Sequence, residues 1–229
     1  MNIQQTMNDT RRQTSAEEIF QKLKGDIVSL RLQPGAKLSE VEIAKQYEVS
    51  RQPVREAFLR LGDLNLLQIR PQKATLVRKI SLQDLRNTRF IRTAVEVEVV
   101  RIACKKADKD SLALLRNNLE KQARAIEDKD SIQLHSLDYQ FHRLICAAAD
   151  RVQAFEVIAA NKAHTDRVCT LELADTFGMA EVLEDHSDIV NAIEAKDEDL
   201  AVACTRHHLA HLDGTLFKAC ENHADFFED

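Results

Sequence analysis

Tryptophan is missing from this sequence, aromatic residues reach only 5%, and its 229 residues include just five glycines and three prolines. A many-stranded β fold needs a turn about every 8–12 residues, which so few turn formers cannot supply. The chain is therefore expected to be mainly α. Long apolar runs are also missing, and none approaches the roughly 20 residues of a membrane span. The N-terminal MNIQQTMNDTRRQTS lacks the apolar core of an export signal, so a cytoplasmic protein with no membrane partner is expected. Five cysteines, Cys104, Cys146, Cys169, Cys204 and Cys220, are scattered without a CxxC pair. They read as small apolar residues kept reduced rather than as a disulfide framework. Hydrophobic residues at 44% and charged residues at 30% exclude wholesale disorder.

Charge is unevenly spread. Residues 1–80 carry 14 Lys+Arg against 9 Asp+Glu, whereas residues 81–229 carry 18 against 28 and all eight histidines. A basic first third and an acidic, His-bearing remainder suggest two domains with different partners. The expected division is a flexible tail over 1–14, a DNA-binding domain over 15–80, and a helical domain over 81–229.

In the first third, Ser15-x-x-Glu18 reads as a capping box. The apolar positions Ile19, Phe20, Leu23, Ile27 and Leu30 then recur at helical spacing until Gln33-Pro34-Gly35 turns the chain. Ser39-x-x-Glu42 opens a short helix with Ile43, Ala44 and Tyr47 on its apolar side. Ser50 caps a third helix with Pro53 in its first turn, where a missing N–H costs nothing. Val54, Ala57, Phe58 and Leu61 face inward on it, and Arg51, Gln52 and Arg55 cluster outward at its N-terminal end. Residues 66–70 and 75–78 read as two strands around Pro71-Gln72-Lys73-Ala74. Helix, tight turn, Arg-rich helix and basic hairpin make the plan of a winged helix-turn-helix. Its recognition helix enters the major groove, where Arg reads guanine and Gln adenine. Lys73 and the wing arginines would neutralise phosphates of a double-stranded DNA operator.

From Ser81 onward helices are expected over Leu82–Lys106, Ser111–Glu127, Ser131–Ala149, Ala154–Leu173, Met179–Ala195 and Leu200–Cys220. Polar groups sit in their apolar arcs. At ~100° per residue, Leu134, Leu137, Phe141, Leu144, Ile145 and Ala148 share one arc. Asp138 lies inside that arc and His142 at its edge. His186 falls near the centre of the stripe formed by Val182, Leu183, Ile189, Val190 and Ile193. In the last helix, His208 lies within the arc of Leu200, Ala201, Cys204, Leu209, Leu212 and Leu216, with His211 in reserve and His207 beside the polar side. An unpaired buried carboxylate costs several kcal/mol, roughly, so Asp138 needs a cation. A divalent metal ion (Zn, Ni or Mn) held by Asp138, His142, His186 and His208 would supply it.

Leu32-Gln33-Pro34-Gly35-Ala36-Lys37-Leu38-Ser39-Glu40 followed by Val49-Ser50-Arg51-Gln52-Pro53-Val54-Arg55-Glu56-Ala57 resembles the GntR family of bacterial transcription regulators. Gln52 stands where Thr is commoner in that family, and Ala74 replaces a usual wing-tip glycine. The resemblance implies that Ser50, Arg51, Gln52, Pro53, Arg55 and Lys73 belong to the DNA-binding surface. Arg92-Thr93-Ala94-Val95-Glu96, Asp138-Tyr139-Gln140-Phe141-His142, His186-x-x-Ile189 and Arg206-His207-His208-Leu209 are similar to the FCD domain of the FadR subgroup. That resemblance implies an antiparallel helical bundle with Asp138, His142, His186 and His208 as metal ligands. It also implies that Arg92 binds a small carboxylate effector; Arg89 and Arg167 are further, unranked cationic candidates on the residues alone. The alternative for Arg92 is an ion pair with Glu96, one turn on. The expected protein is a homodimeric repressor answering to an organic acid or sugar acid, not an enzyme. Three rivals stand beside it: a regulator for which the ion is the signal, a metal-dependent enzyme, and a DNA-binding protein with a structural metal.

Overall fold

The computed structural model describes residues 3–70, 73–172, 176–210 and 212–229. Two compact units emerge, one formed by Met1–Leu82 with His223–Asp229 and the other by Gln83–Asn222.

In the first unit, α1 (Ile3–Val28) and α2 (Glu40–Gln46) pack on α3 (Arg51–Asp63). The apolar stripes lie where helical spacing put them. Ile19, Phe20, Leu23 and Ile27 of α1 and Val54, Ala57, Phe58 and Leu61 of α3 are all buried. Arg60 fastens the two helices, its guanidinium 3.9 Å from the Phe20 ring centre and its Nη1 2.6 Å from Glu17 Oε2. Two expectations are corrected. The Ser15-x-x-Glu18 box lies within α1 rather than opening it, because no Gly or Pro upstream halts helix propagation. Ser39 and Ser50 do occupy N-cap positions, but neither side chain makes a capping bond.

The wing strands are β2 (Leu67–Gln68) and β3 (Thr75–Val77), paired antiparallel. A further strand, β1 (Lys37–Leu38), completes a sheet of order β1-β3-β2. Gly35 makes this possible. Its φ of 84° is the left-handed conformation that glycine adopts without strain, and there its N–H donates to Val77 O at 2.8 Å. Asn65, also at positive φ, ends α3, and the Leu66 N–H closes back on Leu61 O.

The extreme C-terminus departs from the expected 81–229 domain. β5 (Phe227–Glu228) pairs in parallel with β4 (Ile80–Ser81) of the first unit. The carboxylate of Glu228 accepts from Arg78 Nη2 at 3.0 Å, while Arg78 Nη1 donates to Asn65 Oδ1 at 2.9 Å. A two-residue edge with unpaired N–H and C=O groups finds its partner in β4, which periodicity within either segment alone could not indicate.

The second unit comprises α4 (Leu82–Lys106), α5 (Lys109–Glu127), α6 (Ser131–Ala148), α7 (Ala154–Glu172), α8 (Thr176–Glu194), α9 (Glu198–Ala210) and α10 (Leu212–Asn222). α5 packs on α6 and α8, α8 on α9, and α7 on α6 and α10. Val100, Leu115, Phe141, Ile158, Ile193 and Ala201 bring α4 through α9 into one apolar core. The helix expected over Leu200–Cys220 corresponds to α9 and α10, and His211, the reserve ligand, lies outside the described residues. Leu200, expected to face inward, is 49% exposed at the solvent-facing start of α9. Among the described residues no helix is long and apolar enough to cross a membrane.

Candidate metal centre and nucleic-acid interface

At the N-terminal end of α3, Ser50, Arg51, Gln52 and Arg55 are exposed, beside backbone N–H groups that favour an anion. Arg51 reaches Glu40 at 3.1 Å across the turn from α2, and Gln52 donates to Glu56 at 3.0 Å. Pro53 instead turns inward with Val54. It shapes the start of the helix and offers no surface. Lys73 and Ala74 are exposed on the wing, whereas Pro71 and Gln72 lie outside the described residues.

The second unit places the four predicted ligands together. Asp138 and His142, one turn apart on α6, meet His186 from α8 and His208 from α9, with one donor atom of each within 4.8 Å of all the others. Asp138 Oδ1 lies 3.5 Å from His186 Nε2 and 3.7 Å from His142 Nε2. Each ring is held by its other nitrogen. The Nδ1 atoms of His142, His186 and His208 lie 2.8 Å from Glu96 Oε2, 2.9 Å from Gln122 Oε1 and 3.3 Å from Asp185 Oδ2. An Nδ1–H donated to those oxygens leaves each Nε2 lone pair available to a metal. The buried Nε2 atoms of His142 and His186 have no hydrogen-bond partner among the described residues. Phe141 stacks on His186 with ring centres 3.9 Å apart. The donor set and its orphaned nitrogens fit a divalent ion.

Electrostatics sorts these groups. Burial pushes His186 well below the ordinary imidazole range, and neighbouring His208 adds to this. Burial also lowers His208, although Asp185 opposes it. For His142 burial acts downward too, but Glu96 and Asp138 together lift it above its ordinary value. Burial would raise Asp138, yet Lys162, His142 and His186 hold it well below the carboxylate range.

Arg92 is 3% exposed, and its Nε donates to Glu96 at 2.7 Å. The ion pair weighed as an alternative is therefore present and fully buried, and Glu96 also carries His142. Arg92 Nη1 lies 3.4 Å from Thr165 Oγ1, while Nη2 is buried without a partner among the described residues. Arg167 is buried as well. A small cavity beside the centre is lined by Val99, Val100, Ile145 and Ile158 together with the polar Glu96, His142, Thr205 and His208.

Sequence reasoning missed the groups that orient the ligands. Gln122 is backed by Asn118, to which it donates at 2.6 Å, and Asn118 donates in turn to Leu137 O at 3.1 Å. The signal was available, since Asn118 and Gln122 share a buried face with Leu115, Leu119 and Ala125 on α5. Asp185 and Lys162 carried no such signal. Residues 162–168 of α7 are buried in succession, so no polar face marks that helix.

The chain matches the FCD domain over residues 88–211 and the bacterial regulatory proteins of the gntR family over residues 15–77. It is 34% identical over 229 residues to the HTH-type transcriptional repressor RspR of Escherichia coli K12, covering 100% of both chains. It is 29% identical over 185 residues to the Nta operon transcriptional regulator of Aminobacter aminovorans, covering 81% of this chain and 85% of that one. Among solved structures, E. coli McbR/YncC is similar at a TM-score of 0.78 and 25% identity, covering 89% of this chain and 97% of that one. The two sequence relatives are named as transcription regulators, and the matched families are those of regulators rather than enzymes. With a DNA-binding unit of the expected plan and an FCD domain after it, the chain belongs to the GntR family of bacterial transcription regulators.

Proposed function

We propose that this DNA-binding regulator is a homodimeric repressor whose operator affinity is set by a small organic acid or sugar acid bound at the Asp138, His142, His186 and His208 centre. In this reading residues 15–80 bind DNA and residues 81–222 bind the metal and effector and dimerise. Arg51, Gln52 and Arg55 contact operator bases and phosphates, Ser50 starts the helix that carries them, and Lys73 meets the backbone from the wing. The observation that carries the effector half is that, among the described residues, the buried Nε2 atoms of His142 and His186 and the buried Nη2 of Arg92 have no hydrogen-bond partner. A bound divalent ion would supply a Lewis-acidic anchor for one carboxylate oxygen. Arg92 donates Nη2–H to the other oxygen, while Glu96 keeps the guanidinium oriented and the apolar wall excludes water. An effector that prefers one arrangement of the DNA-binding units shifts operator affinity by that preference and no more.

A thermal-shift screen of metal-loaded protein against small hydroxy, keto and sugar acids, repeated on His186→Ala and Arg92→Ala, tests this reading. One acid should raise the parent's midpoint in proportion to the logarithm of its concentration and leave both variants unmoved. It should also lower operator affinity in a fluorescence-anisotropy titration. Operator affinity that follows metal concentration with no acid present would replace this reading with one in which the ion is the signal. A metal that raises the midpoint while neither it nor any acid alters operator binding would make the ion structural.

A further inference from the structure

Asp138 is shared between two claims. Its Oδ1 faces the imidazoles of His142 and His186, whereas its Oδ2 lies 2.6 Å from the ammonium of Lys162. Lys162 reaches in from α7, with 8% of its side chain exposed. It cannot swing away freely. Asp166, one turn along α7, holds the same Nζ at 2.5 Å, and the Tyr139 ring centre lies 4.9 Å from it. Asp166 is itself buried and meets His135 Nε2 at 3.1 Å through its other oxygen.

A divalent ion alone would neutralise Asp138. The buried ammonium also compensates Asp166, yet its place against Asp138 Oδ2 sets it in competition with the ion for that carboxylate. What the ammonium does change is the charge and denticity offered to the ion. Three neutral imidazoles, Asp138, Asp166 and the Lys162 ammonium between the two carboxylates sum to minus one. Without Lys162 the same groups sum to minus two, and both oxygens of Asp138 are free to ligate.

We infer that Lys162 is a positioning residue of the metal centre, a fixed counter-cation that limits Asp138 to one ligating oxygen, weakens metal binding and increases the bound ion's demand for an anionic ligand. This rests on the metal-centre reading given above. The inference gives a residue outside the four ligands a part in how strongly the bound ion attracts the proposed acid. Asp166 takes part by keeping the ammonium in place.

The test uses the full chain with Co2+ as the metal and azide as the anion probe. Parent, Lys162→Met and the double variant Lys162→Met with Asp166→Asn are compared. The double variant removes one charge of each sign and keeps the interior balanced where the single variant fails to fold. Chelator competition should show Co2+ bound about tenfold or more tightly in Lys162→Met than in the parent, and by a smaller factor in the double variant, which keeps the parent's net charge and frees only the second oxygen of Asp138. Azide titration should show binding to the Co2+ form weakened by about tenfold, and the visible Co2+ bands should change as the second oxygen of Asp138 joins the ion. Lys162→Arg, which retains the charge, should stay within about threefold of the parent on both measures. Folded variants with unchanged or weaker Co2+ affinity and unchanged bands would overturn the role of Lys162 and leave the metal centre standing. A parent that binds no Co2+ would overturn both.

Discussion

The two units bury different chemistry. The DNA-binding unit keeps an apolar interior of Leu23, Ile27, Val54, Phe58 and Leu61, and Arg31, Arg51, Arg55, Arg60 and Arg70 stand at its surface. The helical unit buries Arg92, Glu96, Lys162, Asp166, Arg167, Asp185, His142 and His186 beside an apolar core of comparable completeness. Stability and function are thus separated in the first unit and interleaved in the second. A change on the outward face of α3 leaves the packing beneath it alone. A change in the second unit's polar interior alters charge, orientation and packing at once, because a buried polar group without its partner is costly.

The contrast can be broken most forcefully at Phe58, which is 2% exposed. Phe58→Ala should cost about 3–5 kcal/mol, abolishing operator binding and lowering the first melting transition, while metal affinity measured by chelator competition stays within about twofold. The matching experiment in the other unit is His186→Ala, which removes one of four donors. Metal content after dialysis should fall to background, with affinity reduced by about 100-fold or more, since even a group outside the ligand shell is worth about 10–100-fold.

The same titration has a pH signature. Metal binding needs unprotonated imidazoles. Burial works against protonation of His142, but Glu96 and Asp138 raise it above its ordinary value, so in the metal-free protein it keeps a proton to higher pH. Metal affinity should therefore fall as pH drops, beginning above the ordinary imidazole value of 6.5. Glu96→Gln removes the buried anion and should move the onset of that loss to lower pH. An onset unmoved by the substitution would deny Glu96 this part.

Gln122→Ala probes orientation alone. It removes the acceptor that holds His186 Nδ1 and should weaken metal binding about 10–100-fold without removing a ligand. An effect below about threefold would mean that packing against Phe141, not Gln122, orients the ring. At the surface of the first unit, substitutions should touch operator binding and leave stability alone. Arg51→Ala should cost about 1–3 kcal/mol of operator affinity and relax base preference, whereas Lys73→Ala should weaken all sequences alike and reduce the salt-dependence slope by about one. Neither should shift the melting midpoint appreciably, which distinguishes them from Phe58→Ala.

Apolar periodicity by itself determined the helices apart from the start of α1 and the division of α9 from α10, the inward faces of α1, α3, α6 and α8, and the outward cluster Arg51, Gln52 and Arg55. It could also flag Asp138, His142, His186 and His208, because each is a polar residue inside or beside an apolar arc. These properties are local: a helix repeats every 3.6 residues, so its own sequence reveals which side is wet. Tertiary structure alone decided what holds those residues. Nothing within α7 indicates that Lys162 reaches Asp138 of α6, and nothing in α5 names His186 of α8 as the partner of Gln122. The return of β5 to β4 joins residues about 150 positions apart and is equally invisible to a local pattern. Amphipathicity records only whether a side chain is buried, and the partner of a buried charge depends on which helices the fold brings side by side.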